Sequence, residues 1–277
     1  MKVQAPSWRT WLGRAHLLAQ PGPKRYLFIL SHMRSYSSLL CHILNSNPEL
    51  AGYVERHRAY VTKRDLMDLR IAAARSTGKP LSVRYAVDKV LHNKAAVHPK
   101  ILQREDVFAL FSLRAPEQTI RSTIAMVRRR GGPKKNWKHN PTKVTDYYVG
   151  RLEQLVEMAV LKSSRSFYYD AERLVTDSEG TLAALTGFLG LDVPLHERYE
   201  TFDLTGEPGF GDPSAFISAG TIVRERIDHQ AIEVPSNDLA RAREAFERTR
   251  DILLDQCDIA LDTKPKTEVI PRTRPNR

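Results

Sequence analysis

Residues 24–44 read KRYLFILSHMRSYSSLLCHIL, and this stretch decides the fold. The apolar run at 26–30 has no helical spacing and predicts a buried strand. A polar hinge at 31–38 follows it. Beyond the hinge, apolar residues fall at i, i+1, i+4 and i+5, which is one face of a helix: Leu39, Leu40, Ile43 and Leu44. The hinge therefore joins a buried strand to the start of a helix.

The hinge carries groups that bind an anion. A helix start offers unpaired backbone N–H groups and the positive end of the helix dipole. Arg34 adds a cation there, and Ser35, Ser37 and Ser38 add hydroxyls. We interpret the hinge as a phosphate cradle. It is not the common triphosphate loop GxxxxGK(S/T), because it has no glycine and no lysine before the serines. A strand followed by an ordinary serine-capped helix remains open.

Strands and helices alternate along the chain, which predicts an α/β fold with a mostly parallel sheet covered by helices on both faces. Further strands are predicted at 81–87, at Val107–Leu113 and at 166–169. The predicted helices share an apolar stripe at helical spacing: 65–75, 116–127, 148–159, 182–189 after a Thr176/Glu179 capping box, and 236–253.

The length of 277 residues allows one large domain, which we predict at 24–261. An amphipathic helix and linker at 1–23 precede it, either docked on the domain or touching a membrane surface, and a basic, disordered tail at 262–277 follows. No apolar run approaches the ~18 residues of a membrane span, and no signal-peptide core is present. Two cysteines are too few for a disulfide framework. These features predict a soluble, cytoplasmic protein.

The chain is strongly basic, with a net charge of +11. Such a charge predicts an anionic partner, which could be a nucleotide, an acidic glycan, nucleic acid or a membrane surface. The densest basic run, 128–138 (RRRGGPKKNWK), is either a solvated loop or a lid over an acidic substrate or nucleotide.

A second strand-to-helix junction carries another cation. Val107–Leu113 ends at Arg114, after which Pro116 and Glu117 suit the first turn of a helix. The carboxyl ends of parallel strands meet at one edge of a sheet. A ligand with two separated phosphates would satisfy both Arg34 and Arg114.

Three motifs, in this order, resemble the sulfotransferases that use 3′-phosphoadenosine 5′-phosphosulfate (PAPS). SHMRSYSSLLCHIL is similar to the 5′-phosphosulfate loop of bacterial and carbohydrate-directed members, roughly RSGSS/TLL. Arg114 and Ser122 in LRAPEQTIRS match the arginine and serine of the 3′-phosphate motif. FYYD at 167–170, followed by GTLAALTGFLGL, is similar to FYEDL…FLGL. Tyr36 departs from the pattern, because the family usually has glycine there.

The resemblance covers about residues 26–191 and implies a P-loop-NTPase-like sulfotransferase fold. It also implies transfer of a sulfuryl group from PAPS to an acceptor hydroxyl by in-line displacement, with adenosine 3′,5′-bisphosphate as product and no metal. Arg34 would bind the bridging oxygen and the 5′-phosphate, Arg114 and Ser122 the 3′-phosphate, and Tyr168 the adenine. The remaining implied donor-binding residues form the loop: Ser35, Tyr36, Ser37, Ser38 and Leu39.

An acceptor hydroxyl needs a base. The chain offers Glu55, His57, Asp88 and His92. Glu55 is the first choice, because it follows the cradle helix by a distance similar to that in family members that use glutamate, and His57 is the second. A surface ion pair of Glu55 with a neighbouring arginine remains open.

Two other functions remain open. A nucleotide-dependent kinase is disfavoured by the missing lysine and by the lack of an obvious acidic, metal-binding strand end. The second open function is that of a non-catalytic basic protein that binds acidic glycan or nucleic acid. For the sulfotransferase we expect a small-molecule acceptor, such as a carbohydrate, and no nucleic-acid partner. The sequence specifies neither the acceptor nor the oligomeric state.

Overall fold

A computed structural model describes residues 24–129, 137–162, 164–207, 215–225, 227 and 229–262. The strands in this part of the chain form one parallel sheet in the order β2-β3-β1-β4-β5-β6. They are β1 Arg25–Leu30, β2 Leu50–Ala51, β3 Tyr85–Val90, β4 Val107–Leu113, β5 Ser166–Asp170 and β6 Ile259–Leu261. The predicted α/β class with a mostly parallel sheet is confirmed.

The helices follow the strands along the chain. Their bounds are α1 Ser37–Ser46, α2 Lys63–Thr77, α3 Pro99–Leu102, α4 Pro116–Arg129, α5 Pro141–Leu161, α6 Arg173–Thr176, α7 Ser178–Leu189 and α8 Ser236–Gln256. Two short 3-10 turns lie at Trp137–His139 and Ala215–Ala219.

Apolar residues on both faces of the central strands create two cores. In β1, Phe28 packs in the core under α2, α4, α5 and α8, whereas Leu27 and Ile29 pack in the core under α1 and α7. All seven residues of β4 are buried, as expected for a parallel strand covered on both faces. Because β1 lies between β3 and β4, the turns that leave these three strands meet at one edge of the sheet.

Two sequence predictions about element boundaries are wrong. The third strand is Tyr85–Val90 rather than 81–87, so Asp88 and Lys89 lie inside a buried strand instead of following it. The predicted capping box at Thr176 is replaced by Asp177, whose side chain accepts a hydrogen bond from the N–H of Gly180. Aspartate is a stronger helix cap than threonine.

Several predictions fall outside the described residues, including the N-terminal helix at 1–23 and nearly all of the tail at 262–277. Cys41 and Cys257 are both buried, and they belong to the cores on opposite faces of the sheet. Among the described helices, none combines the length and the apolarity that a bilayer crossing demands.

Candidate functional site

The turn between β1 and α1, which we call the cradle (residues 31–38), has an unusual backbone. Arg34 and Tyr36 both have positive φ angles, 66° and 59°. This left-handed conformation costs a residue other than glycine about 1–2 kcal/mol. Alternating left-handed residues turn successive N–H groups toward one concavity, which binds anions. Tyr36 therefore takes the conformation that glycine would favour, and the departure from the family pattern is absorbed by the backbone.

The start of α1 is open for a ligand. Its N-cap is Tyr36, whose side chain makes no capping hydrogen bond, and its first turn has no acidic residue. Ser37, Ser38 and Leu39 occupy this first turn and line the neighbouring cavity. The N–H groups of the turn and the positive helix end thus face the cavity without a built-in anion.

Buried hydroxyls hold the cradle in place. The Ser31 hydroxyl donates to the carbonyl of Ser112 on β4 at 2.6 Å, and the Ser35 hydroxyl donates to the carbonyl of His32 at 2.8 Å. Ser31 and Ser35 also contact each other at 2.7 Å. Ser35 was predicted to hold a phosphate. Its hydroxyl is engaged inside the turn and helps to fix the shape of the turn. Phosphate binding by Ser35 stays a prediction.

His32 connects the cradle to the second junction. Its Nε2 accepts a hydrogen bond from the N–H of Arg114 at 3.0 Å, and its Nδ1 lies 2.9 Å from the carbonyl of Met33. Nδ1 must therefore carry the proton. Burial lowers the pKa of His32 to about 3, so the ring is neutral at physiological pH.

The two junctions meet through their arginines. Arg114 Nη1 donates to the carbonyl of Arg34 at 2.8 Å, and its guanidinium lies over the ring of Tyr36, 4.4 Å from the centroid. Arg34 Nε donates to the hydroxyl of Ser122 on α4 at 2.9 Å. Arg34, Arg114 and Ser122, which are far apart in the sequence, thus form one cationic group beside the cradle.

Neighbouring elements fix the turn that carries Arg114. The N–H of Ala115 donates to the carboxylate of Glu172 at 3.2 Å, and the Tyr148 hydroxyl donates to the carbonyl of Arg114 at 2.9 Å. Glu172 also lies 3.9 Å from Arg114 Nε. The guanidinium of Arg114 is consequently oriented before any ligand arrives.

A cavity of about 280 Å³ opens in front of this group. The cradle, Arg114 and Ser122 form one side of it, and Glu55, His57 and His92 line it as well. A further side, the apolar wall, comes from the segment between β5 and α8: Tyr199, Phe216, Ile217, Val223 and Ile227. The cavity therefore joins an anion-binding surface to titratable groups and an apolar surface.

Glu55, His57 and His92 form what we call the acid–base cluster. The Glu55 carboxylate oxygen Oε1 lies 3.4 Å from His57 Nδ1 and 3.4 Å from His92 Nε2. Burial raises the pKa of Glu55, although the positive charge of Lys89 opposes this shift. Burial also lowers the pKa of His92 to about 4. The predicted surface ion pair of Glu55 with a neighbouring arginine gives way to these two imidazole contacts.

A search of solved structures identifies the fold. The sulfotransferase domain from the curacin biosynthetic pathway aligns with a TM-score of 0.52 and 16% identity, over 82% of this chain and 99% of that domain. The chain has the sulfotransferase fold. A sulfotransferase from Alicyclobacillus acidocaldarius also aligns, at 13% identity and a TM-score of 0.44, over 85% of this chain and 96% of that one. No family model and no curated protein matches the sequence.

Two predicted site residues lie away from the cavity of this sulfotransferase fold. Tyr168, predicted to contact adenine, is fully buried in the core under α4, α5 and α8, and its hydroxyl donates to Asp170 at 2.5 Å. Asp88, a candidate base, is also buried, and it accepts hydrogen bonds from the Tyr60 hydroxyl at 2.5 Å and from the N–H of Arg56 at 3.3 Å. Burial raises the pKa of Asp88 to about 7. Neither residue is among those that line the cavity.

Two buried cations near the site were missed from the sequence. Lys89 Nζ donates to the hydroxyl of Ser38 at 3.0 Å and so places a charge beneath the start of α1. Arg151 on α5 donates through Nε to the carbonyl of Ser31 at 2.8 Å and through Nη2 to that of Val90. Arg151 thereby joins the carboxyl ends of β1 and β3. The only sequence signal for Lys89 was its position near the end of a predicted strand. Arg151 is one basic residue on a long helix, and its position in the sequence does not indicate that it is buried beside the site.

The basic segment at 128–138 is described only at its ends. Arg128 and Arg129 belong to the last turn of α4, and Lys138 lies in the turn Trp137–His139. Lys138 lines the cavity. The interpretation of 130–136 as a loop or lid lies outside the described residues.

Proposed function

We propose that this protein is a PAPS-dependent sulfotransferase that moves a sulfuryl group to an acceptor hydroxyl. The observation that carries the proposal is the meeting of Arg34, Arg114 and Ser122 at the open start of α1. This cationic group occurs within the sulfotransferase fold. A cytoplasmic location remains part of the proposal, based on the scarcity of cysteine.

The residues of the cavity fit a donor with two phosphate groups. The open N–H groups of α1, with the hydroxyls of Ser37 and Ser38, suit the 5′-phosphosulfate. Arg114 and Ser122 suit the 3′-phosphate. The backbone of Arg34 is part of the cradle, and its side chain contacts Ser122, so Arg34 lies between the proposed sites of the two phosphate groups. When bound, the donor supplies a sulfuryl group attached to a phosphate leaving group.

The protein contributes mainly charge and orientation. The guanidinium of Arg34 stabilises negative charge that develops on the phosphate. Lys89 orients the Ser38 hydroxyl and adds a second fixed charge below the cradle. Because these groups are already held by hydrogen bonds, little reorganisation is needed during transfer.

Glu55 is the proposed base. Its carboxylate lines the cavity, and its raised pKa makes it a better proton acceptor than an exposed glutamate. His57 and His92 contact the same carboxylate oxygen and are the next candidates. In this mechanism Glu55 takes the proton of the acceptor hydroxyl while the neutral His92 keeps the carboxylate in position.

Calorimetry with the full chain tests the donor first. We expect adenosine 3′,5′-bisphosphate to bind, and ATP with Mg²⁺ to bind at least tenfold more weakly, because ATP lacks the 3′-phosphate that Arg114 and Ser122 would hold. Tighter binding of ATP with Mg²⁺ would favour a kinase. Salt-sensitive binding of heparin or DNA without any nucleotide affinity would favour a non-catalytic basic protein.

A transfer assay tests the reaction itself. Radiolabelled PAPS is incubated with a panel of carbohydrate, phenol and aliphatic alcohol acceptors, and labelled products are separated from the donor. We expect label on at least one hydroxyl acceptor with the wild-type protein and roughly 10²–10³-fold slower labelling with Arg34→Ala. Equal labelling by the two proteins would overturn the mechanism.

A further inference from the structure

The acid–base cluster has the composition of a metal site, although the sequence led us to expect none. Glu55, His57 and His92 each offer one ligand atom, and the three atoms lie within 4.8 Å of one another. Two imidazole nitrogens and one carboxylate oxygen are a ligand set that Zn²⁺ uses at sites with an open position. The three residues come from two separate segments, so no ligand spacing in the sequence reveals them.

The distances fit an ion better than hydrogen bonds. Both imidazole nitrogens lie 3.4 Å from Glu55 Oε1. Charge-assisted hydrogen bonds are shorter, about 2.7–2.9 Å. Ligand atoms around a tetrahedral Zn²⁺ with bonds of about 2.0–2.1 Å are separated by about 3.3 Å. Two of the three separations between ligand atoms therefore match those around an ion, and the third, between the two imidazole nitrogens, is within 4.8 Å.

Tyr147 orients His92, whether His92 binds a metal or donates a hydrogen bond to Glu55. Tyr147 places its hydroxyl 3.0 Å from His92 Nδ1 and also accepts a hydrogen bond from the N–H of Asn93 at 3.1 Å. A tyrosine hydroxyl can donate or accept. When it accepts from Nδ1–H, Nε2 is left with the lone pair that a metal requires. Metal-binding histidines generally have such a partner on the second nitrogen.

His57 pays a conformational cost to join the cluster. Its φ angle is 49°, in the left-handed region that a residue other than glycine rarely occupies. Strain of this kind concentrates at functional sites. His57, Glu55 and His92 all line the cavity, so a fourth coordination position would face its interior.

We propose that Glu55, His57 and His92 bind Zn²⁺ through Oε1, Nδ1 and Nε2, with an open position toward the cavity. Lys89, Arg151 and Lys138 act on the Glu55 carboxylate through their charges and weaken the attraction for a dication. We therefore expect reversible binding. The site does not depend on the proposed sulfotransferase function. Where Glu55 also acts as the base, bound Zn²⁺ occupies its lone pair and inhibits transfer.

Titration of the full chain with Co²⁺, without nucleotide, tests the site directly. Four-coordinate Co²⁺ has strong visible absorption, and we expect the wild-type protein to develop this absorption and lose it when Zn²⁺ is added. Glu55→Gln, His57→Gln and His92→Gln should each weaken Co²⁺ binding at least tenfold. His229→Gln, which alters another histidine lining the cavity, is the matched control and should bind as wild type does.

Two results would overturn the proposal: no four-coordinate absorption in the wild type, or unchanged absorption in Glu55→Gln. Circular dichroism of each variant establishes that it is folded. Tyr147→Phe provides a second check, because loss of the hydroxyl next to His92 should weaken binding by about tenfold. The titration uses no donor and no acceptor, so its outcome is separate from that of the transfer assay.

Discussion

The two polar sides of the cavity are built in different ways. In the cradle, three buried residues are held by hydrogen bonds of 2.6–3.0 Å: Ser31 bonds to β4, His32 to the turn of Arg114, and Ser35 to the carbonyl of His32 within the cradle. In the acid–base cluster the contacts are 3.4 Å, and half of the His57 side chain is exposed. A fixed framework suits the binding of an anion whose charge does not change. The looser cluster suits groups that exchange a proton or a metal ion.

The largest expected effect comes from Glu55→Gln. This change keeps the shape of the side chain and removes the proposed base, so kcat should fall by roughly 10²–10⁴-fold. Calorimetric affinity for adenosine 3′,5′-bisphosphate should stay within a factor of about two, because the cradle is untouched. Glu153→Gln, on the exposed face of α5, is the control. An unchanged kcat in Glu55→Gln would transfer the role of base to His57 or His92.

Arg34→Ala should lower kcat by roughly 10²–10³-fold, because it removes a fixed charge from the cradle. The protein should remain folded, since the cradle is held mainly by Ser31, Ser35 and His32. Arg75→Ala removes an exposed arginine from the last turn of α2 and serves as the control. Thermal unfolding and the transfer assay are measured on both variants. A parallel loss of Tm and activity in Arg34→Ala would mean that Arg34 is structural.

Arg114→Ala should act on binding more than on the rate. Hydrogen bonds to a charged group contribute about 1.5–3 kcal/mol, so the Kd for adenosine 3′,5′-bisphosphate should rise by roughly 10–100-fold. Arg114→Lys keeps the charge but loses the stacking on Tyr36, and should fall between the wild type and Arg114→Ala. Equal affinity for adenosine 5′-monophosphate and the bisphosphate in the wild type would contradict the assignment of Arg114 to the 3′-phosphate.

The smallest effect concerns the pH dependence of stability. The pKa of His32 is lowered to about 3 in the folded protein, against an ordinary value of 6.5, because the ring is buried. The unfolded chain therefore binds the extra proton first. The stabilising contribution of neutral His32 is complete above pH 6.5 and is lost as the pH falls toward 3.

His32→Gln removes this titration. Between pH 6 and 4, the slope of the unfolding free energy against pH should decrease by up to about 1.4 kcal/mol per pH unit. Urea unfolding at several pH values measures the slope. An identical slope in the variant and the wild type would show that the neutral His32 ring does not contribute to stability over this pH range.

Local patterns in the sequence were sufficient for the central part of the fold. The hinge between β1 and α1 and the buried strand β4 were predicted because apolar periodicity and turn residues are local signals. Arg34 and Arg114 were predicted to approach each other because parallel strands share an edge. The network around them was not predicted. Arg151 reaches the cradle, and His32 and Glu172 reach the turn of Arg114, only through tertiary packing, which leaves no trace in the neighbouring sequence.

Tyr168 illustrates how one position in a strand changes the outcome. Side chains alternate between the faces of a sheet, so Phe167 and Tyr169 pack under α7 while Tyr168 points into the opposite core. The motif located the strand correctly. Which of its faces meets the cavity depends on the packing of distant helices, and the sequence of β5 does not contain this information.

The apolar wall has a consequence for engineering. Tyr199, Phe216, Ile217, Val223 and Ile227 all come from one stretch of chain between β5 and α8. The stretch bonds to α1, where the Thr205 hydroxyl lies 2.9 Å from His42 Nε2 and the N–H of Glu200 donates to the Ser46 hydroxyl at 2.7 Å. Exchanging residues 199–227 for those of another protein of the same fold, with Glu200 and Thr205 retained, would change the apolar wall without replacing Arg34, Arg114 or Ser122. This stretch is therefore a suitable target for altering acceptor choice.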